Sequence, residues 1–141
     1  MSRKWLYQLY HWFAKSALMI HVNDLIVQYV SAWNETDPER RRQVIAKVWI
    51  EDGTYVDVHR RGDGHDGINS MIEAAQQQFP KYRLRLVSGI EAHTEYVRFS
   101  WAAGGAPESP LYLGGTDFGI IATDGRFRSV VGFVDAAPAM P

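Results

Sequence analysis

The sequence contains no cysteine among its 141 residues. This absence excludes a disulfide framework, a thiolate nucleophile and a zinc site built on thiolates. Long hydrophobic runs are also lacking, so we predict no integral membrane segment. The 15 basic and 16 acidic residues nearly balance, whereas proteins that bind nucleic acid usually carry a clustered basic excess. The chain is therefore expected to act without a nucleic-acid partner.

The five histidines do not follow a compact metal-binding pattern. His59, His65 and His93 lack the i, i+4 spacing around a Glu that is typical of zinc-binding helices. We predict neither a metal nor a cofactor. His93 shares one side of its predicted strand with apolar residues, so it would reach the mouth of a cavity; the alternative is a surface histidine at the end of a hairpin.

Residues 1–21 form a segment with a composition of its own. Arg3 and Lys4 precede a stretch that contains Trp5, Leu9 and Trp12, but polar residues interrupt it and no small-x-small cleavage site follows. We predict an amphipathic N-terminal extension that covers part of the domain or a partner. A membrane-surface segment and an extension with no role in the fold are the alternatives. Without a convincing export signal, we expect a cytoplasmic location.

The next part of the chain has helical periodicity. Apolar residues recur at helical spacing over 22–34, and Thr36-Asp37-Pro38-Glu39 is typical of a helix start. The helix that it opens would run to Trp49 and expose the arginine run at residues 40–42 to solvent. Asp66 is predicted to cap a third helix, which ends before Pro80.

Strands follow the helices. Asp52-Gly53 predicts a turn into a short strand over 54–59, and from Tyr82 onward apolar and polar residues alternate with a period of two. A Gly- and Pro-rich loop from 104 to 110 precedes the last hairpin, whose turn is Asp124-Gly125. This order predicts an α+β domain over 22–135, with a cone-shaped, curved antiparallel sheet wrapped around three helices, an extra N-terminal helix and a frayed tail over 136–141.

Three polar side chains fall on the apolar side of core-forming segments: Tyr29, Asp57 and Asp117. An isolated charge in apolar surroundings is costly, so such acids are either paired or held in an unusual protonation state. Each also has a structural interpretation. Asp117 could be a buried acid bonded to its neighbours, Asp57 a half-exposed acid paired with Arg60 or Arg61, and Tyr29 a core aromatic.

The chain resembles the nuclear transport factor 2-like superfamily, and within it the SnoaL-like proteins and the ketosteroid isomerases. The resemblance rests on the element order and on three segments: Gln28–Asn34, Trp49–Thr54 and Asp124-Gly125-Arg126. It implies that Tyr29 donates a hydrogen bond to an enolate, that Asp57 shuttles a proton, and that Asp117 is a protonated second donor to the oxyanion. His93 would assist Asp57, as a histidine does in some cyclases and dehydratases of the superfamily.

The implied function is an isomerase or cyclase that moves a proton on a hydrophobic carbonyl compound in a buried pocket. The alternative is a non-catalytic ligand-binding or accessory domain. Val58 stands where the isomerases usually have Pro, which leaves the substrate open. The resemblance also implies a homodimer that forms through the convex face of the sheet. The residues expected to line the pocket are aromatic: Trp33, Trp49, Tyr55, Phe99, Trp101 and Phe133.

Overall fold

The computed structural model describes residues 2–105 and 113–135, which form three helices and seven strands. The helices are α1 (Arg3–Asn34), α2 (Pro38–Val48) and α3 (Gly64–Gln78). The strands are β1 (Trp49–Val56), β2 (Arg61–Asp63), β3 (Arg83–Leu86), β4 (Glu91–His93), β5 (Tyr96–Gly104), β6 (Leu113–Ile121) and β7 (Phe127–Val134). The predicted loop at 104–110 lies outside the described residues from residue 106 onward, and the predicted tail lies outside them entirely.

All seven strands belong to one curved sheet, which confirms the predicted α+β class. The strand order is β2-β1-β7-β6-β5-β3, and β4 also pairs with β5. Every pair is antiparallel except β1 with β7, which is parallel. No hairpin sets the relative direction of these two strands, because nearly the whole domain separates them in sequence. The sheet is therefore mixed, where the sequence analysis expected an antiparallel one.

The first helix is a single α-helix of 32 residues, so the extension predicted over 1–21 and the helix predicted over 22–34 are continuous. Its second half packs on the sheet through Val22, Leu25, Ile26 and Tyr29, all of them buried. Leu18 is the first residue of the helix that packs against the core. His21 Nε2 lies 2.9 Å from the backbone oxygen of Gly125, which ties this part of the helix to the β6–β7 turn.

One arginine of the run at residues 40–42 is buried, where the sequence predicted all three to be exposed. Arg40 and Arg42 are exposed, as expected, but Arg41 is fully buried between the helices. Its guanidinium donates to Asn69 Oδ1 and Gln76 Oε1 at 2.8 and 2.7 Å, and to two backbone oxygens that follow α1. A buried guanidinium is tolerated because these acceptors replace its hydration. The three arginines are adjacent in sequence, so only the tertiary contacts distinguish the inward one.

The first strand also starts earlier than predicted. Asp52-Gly53 lies inside β1 at an irregularity in its pairing with β7, where the sequence analysis expected a turn. Bulges occur where a strand must bend or re-aim its side chains. The strand ends at Val56, so Asp57 is the first residue beyond it and lies near the edge of the concave face.

Candidate functional site

A cavity of about 950 Å³ lies between the concave face of the sheet and the helices. Its lining includes apolar residues such as Met71, Phe79 and Leu84, together with polar residues such as Asp57 and Asp117. Concave pockets that combine apolar walls with a few convergent polar groups are the usual form of small-molecule sites. The chain thus has room for a ligand of moderate size.

Asp117 is the most buried acid of this cavity, with 2% of its surface exposed. It lies in the middle of β6, and its carboxylate accepts two hydrogen bonds. Trp101 Nε1 donates to Oδ1 over 2.9 Å, and the Tyr29 hydroxyl donates to Oδ2. Burial raises the pKa of Asp117 to about 6 from its ordinary value of 3.8; the two donors oppose the rise, and the negative charge of Asp57 adds to it.

Two glycines make room for the donors and rings around Asp117. Gly115 and Gly119 flank it on the same face of β6. A Cβ at Gly115 would lie 2.6 Å from the Trp101 ring, and one at Gly119 would overlap the ring of Phe127. Larger residues at either position would displace the indole that donates to Asp117 or the ring that packs on Tyr29.

Tyr29 is fully buried and does not line the cavity. Its ring contacts Trp49, Phe99 and Phe127, with centroids 5.2 to 5.9 Å away. Burial raises the pKa of Tyr29 well above its ordinary range, and the charge of Asp117 raises it further. The hydroxyl therefore stays protonated and donates to Asp117. The resemblance implied direct contact with a bound ligand; the structure instead places the Tyr29 hydroxyl behind Asp117, to which it donates, and not among the residues that line the cavity.

The carboxyl group of Asp57 is fixed by several neighbours just after the end of β1. Its Oδ1 accepts from the backbone N–H groups of His59 and Arg60 at 2.7 and 2.9 Å. Its Oδ2 accepts from the Tyr55 hydroxyl at 2.8 Å and lies 3.9 Å from Arg60 Nε. These contacts hold the Asp57 carboxyl group in place at the edge of the cavity. Tyr55 remains a donor, because burial raises its pKa and nearby carboxylates raise it further.

The two acids meet above Gly132. Asp117 pairs directly with Gly132 across β6 and β7, and β1 lies on the other side of β7. A Cβ on Gly132 would lie 2.7 Å from the Tyr55 hydroxyl oxygen, 2.9 Å from Asp117 Oδ1 and 3.3 Å from Asp57 Cβ. These three groups thus surround one point on the cavity wall, and the missing side chain of Gly132 allows them to do so.

Three of the six predicted aromatic residues line the cavity: Trp33, Tyr55 and Trp101. The indole N–H of Trp33 is buried, and the Trp33 ring lies against the rings of Tyr29 and Tyr55.

The other predicted residues lie elsewhere. Trp49 and Phe99 pack in the core around Tyr29, and Phe133 is 64% exposed because it points to the other side of β7. His93 is an exposed residue of β4 whose ring contacts Tyr96, away from the cavity lining. His93 pairs with Tyr96, and Ala92 pairs with Val97, so His93 lies on the other face of the sheet from Val97, where the sequence predicted the same side.

Sequence reasoning missed Gly132 and the donor role of Tyr55. The available signal was the set of glycines in β6 and β7 at Gly115, Gly119 and Gly132, because glycine inside a strand often marks a close approach by another group. Within residues 2–105 and 113–135, no cluster of three or more His, Asp or Glu side chains is arranged to hold a metal ion. None of the helices in those ranges is long and apolar enough to cross a membrane.

Comparison with solved structures identifies similar proteins. The chain is 41% identical to a candidate isomerase of the SnoaL-like family from Agrobacterium tumefaciens, with a TM-score of 0.77, over 83% of this chain and 99% of that one. A candidate SnoaL-like polyketide cyclase from Jannaschia shares 13% identity and a TM-score of 0.62, over 84% and 94% of the two chains.

An NTF2-like protein of unknown function from Exiguobacterium shares 15% identity and a TM-score of 0.64, over 79% of this chain and 98% of that one. These last two similarities show the fold alone. No family model and no curated protein matches the chain.

The raised pKa of Asp117 predicts a pH-dependent stability. Because the folded pKa of about 6 exceeds the ordinary 3.8, the native state holds this proton more tightly than the unfolded state does. The contribution of Asp117 is thus most favourable below about pH 4 and is lost as the pH rises through 6. The stability of the wild type relative to Asp117→Asn should fall by about 3 kcal/mol across this interval. Urea unfolding at stepped pH measures both free energies of unfolding. A wild type that becomes more stable relative to Asp117→Asn as the pH rises would contradict the raised pKa of Asp117.

Gly132→Ala should disrupt the convergence of the two acids. The added methyl group would overlap the Tyr55 hydroxyl and Asp117 Oδ1, so we expect a loss of about 1–3 kcal/mol in the free energy of unfolding and altered carboxyl resonances for both acids. Gly67→Ala is the matched control, because a Cβ there would meet nothing closer than 3.7 Å. Equal stabilities for the two variants would show that the space at Gly132 is not needed.

Proposed function

The chain belongs to the SnoaL-like family, and we propose that it is an enzyme of isomerase or cyclase type that moves a proton on a hydrophobic carbonyl compound. The observation that carries the proposal is the meeting of Asp57, Asp117 and Tyr55 around Gly132 on the wall of a cavity of about 950 Å³. The candidate isomerase from Agrobacterium tumefaciens supports the reaction type by its name.

The two acids suit opposite roles. Paired carboxyl groups whose surroundings separate their protonation behaviour commonly divide into a proton donor and a proton acceptor. Asp57 accepts hydrogen bonds from two backbone N–H groups and from Tyr55, which orient its carboxyl group at the cavity. Asp117 is buried with a pKa of about 6, and an apolar ligand that displaces water from the cavity would raise this pKa further. Asp57 is thus the proposed base and Asp117 the proposed donor.

In the proposed reaction, Asp57 removes a proton from the carbon next to the carbonyl group of the ligand. The electron pair of that C–H bond forms a double bond to the carbonyl carbon, and the π electrons of the carbonyl group move to its oxygen. The resulting enolate oxygen accepts a hydrogen bond from protonated Asp117. Return of the proton from Asp57 to a second carbon completes an isomerisation. Attack of the enolate carbon on another carbonyl of the same ligand instead closes a ring; the π electrons of that carbonyl move to its oxygen, which takes the proton from Asp57. Each step moves only protons and electron pairs, so the proposal includes no cofactor.

The neighbours of the two acids have supporting roles. Tyr29 and Trp101 hold the Asp117 carboxyl group in place, and Tyr55 does the same for Asp57. Trp33 adds an aromatic surface to the cavity wall. Because these donors are attached to helix and sheet, they need little reorganisation when charge develops on the ligand. Apolar residues such as Met71 and Leu84 would exclude water from the reacting atoms.

A second candidate function is ligand binding without chemistry. The observation that favours it is that both oxygens of Asp117 already accept hydrogen bonds from the protein. In that case Asp117 would serve to join α1, β5 and β6, and the cavity would only hold a ligand.

A homodimer through the convex face of the sheet remains part of the proposal; exposed Arg98 and Arg128 lie on the outward side of β5 and β7.

We expect wild-type protein to isomerise a β,γ-unsaturated ketone from a panel of hydrophobic enones. Asp57→Asn should lower kcat/KM by about 10²- to 10⁴-fold, because the amide cannot act as the base. Asp117→Asn should lower it by about 10²-fold or more. In the wild type, kcat/KM should decline as the pH rises through about 6, since Asp117 of the free enzyme loses its proton there. Absorbance of the conjugated product measures all three.

Asp52→Asn is the matched control, since Asp52 lies in β1, the strand that Asp57 follows, is exposed and does not line the cavity. It should keep wild-type activity. If the panel binds, as measured by calorimetry, but no member reacts faster with wild type than with Asp57→Asn, the chemistry is refuted and the binding function is favoured.

A further inference from the structure

The first half of α1 carries a concentrated set of exposed apolar side chains. Of the thirteen large exposed hydrophobic residues in the described part of the chain, seven lie between residues 5 and 13. They precede Leu18, the first residue of the helix that packs against the core. Single exposed apolar residues are ordinary, whereas a contiguous patch marks a surface that is covered by something else. This segment therefore has a partner outside the described fold.

The exposed residues lie mainly on one side of the helix. Successive residues of an α-helix are rotated by about 100°, and within one arc of about 120° every large side chain of this segment is apolar. We call this arc the outer stripe; it consists of Trp5, Leu6, Leu9, Trp12, Phe13 and Ile20. The opposite side carries Lys4, Gln8, His11 and Lys15, which follow one another at intervals of three or four residues. The segment is thus amphipathic.

The domain itself cannot cover the outer stripe. In the second half of α1 the buried side chains include Val22, Leu25 and Tyr29. Lys15, Val22 and Tyr29 are seven residues apart, and so are His11, Leu18 and Leu25, which places each series along one side of the helix. The polar side of the first half therefore continues into the core-facing side of the second half. Because the helix is continuous, its outer stripe points away from the domain.

Charge distinguishes the partner. Residues 2–23 contain Arg3, Lys4 and Lys15 and no acidic residue, so the rest of the chain holds 12 of the 15 basic and all 16 acidic residues. A second copy of this helix would bring like charges together without an acidic side chain to pair with them, whereas paired helices usually carry complementary charges beside their apolar seam. An anionic lipid surface is complementary to this segment, and Trp residues beside basic ones are typical of helices that lie in a membrane interface.

We propose that residues 3–20 form an interfacial helix that docks the protein on a bilayer containing anionic lipids. The outer stripe enters the boundary between headgroups and acyl chains, and the domain stands on the aqueous side. The long side chains of Arg3 and the lysines extend from the polar side of the helix to the lipid phosphates and carboxylates beside it. The helix lies along the surface and does not cross it. This role is independent of the proposed chemistry, since it uses none of the residues that line the cavity.

The test is sedimentation of the full chain with vesicles, using phosphatidylcholine alone or mixed with phosphatidylserine. Three basic side chains near the surface should make binding to the anionic vesicles about 100-fold tighter. The paired substitution Leu6→Ser with Phe13→Ser should weaken that binding about 100-fold, because two large apolar groups no longer enter the bilayer. Tyr7→Ser is the matched control: Tyr7 is 63% exposed on the same segment but lies outside the outer stripe, so its substitution should change binding by less than about threefold.

Thermal unfolding checks that the variants fold, which is expected because all the substituted side chains are exposed. Equal binding to both vesicle types, no binding to either, or equal effects of the stripe and control substitutions would overturn the proposal. Sedimentation velocity without lipid tests the other partner. A dimer that the stripe substitutions dissociate, together with no vesicle binding, would assign the outer stripe to a second copy. Loss of ketone isomerisation would bear only on the cavity.

Discussion

The hydrogen bonds that Asp117 accepts from Tyr29 and Trp101 connect α1 to the middle of the sheet. Burying an acid in apolar surroundings is unfavourable, and donors aimed at its oxygens reduce that cost. The two effects oppose each other at Asp117: burial dominates, and the pKa of the carboxyl group stays above its ordinary value. An acid in this state holds its proton to a higher pH than an ordinary aspartic acid does.

Glycine provides the space in which this arrangement exists. Gly115 admits the Trp101 indole beside Asp117, and Gly132 leaves open the point where Asp117, Asp57 and Tyr55 meet. Glycine in a strand interior sacrifices packing and backbone entropy. Glycine at these two positions makes room for the site but lowers the stability of the sheet, which is common at functional positions.

Local patterns allowed much of the fold to be predicted. Helical spacing before residue 80 and alternation after Tyr82 indicated the α+β class, and strand parity placed Asp117 on the inner face. What could not be predicted depends on contacts between distant residues. The burial of Arg41 requires acceptors from α3, and the meeting point at Gly132 requires the parallel pairing of β1 with β7. The positions of Trp49, Phe99 and Phe133 likewise depended on which aromatic rings surround Tyr29 and which face solvent, a matter of tertiary packing.

Burial keeps the Asp117 carboxyl group protonated to unusually high pH while Tyr29 donates to it. Carbon-13 NMR of the carboxyl carbons tests this most directly, with the Asp117 resonance assigned by its absence in Asp117→Asn. We expect a titration midpoint near pH 6 in the wild type and a higher one in Tyr29→Phe, because the hydrogen bond that favours the ionised form of Asp117 is lost. A midpoint near the ordinary value of 3.8, or one that Tyr29→Phe lowers, would contradict it.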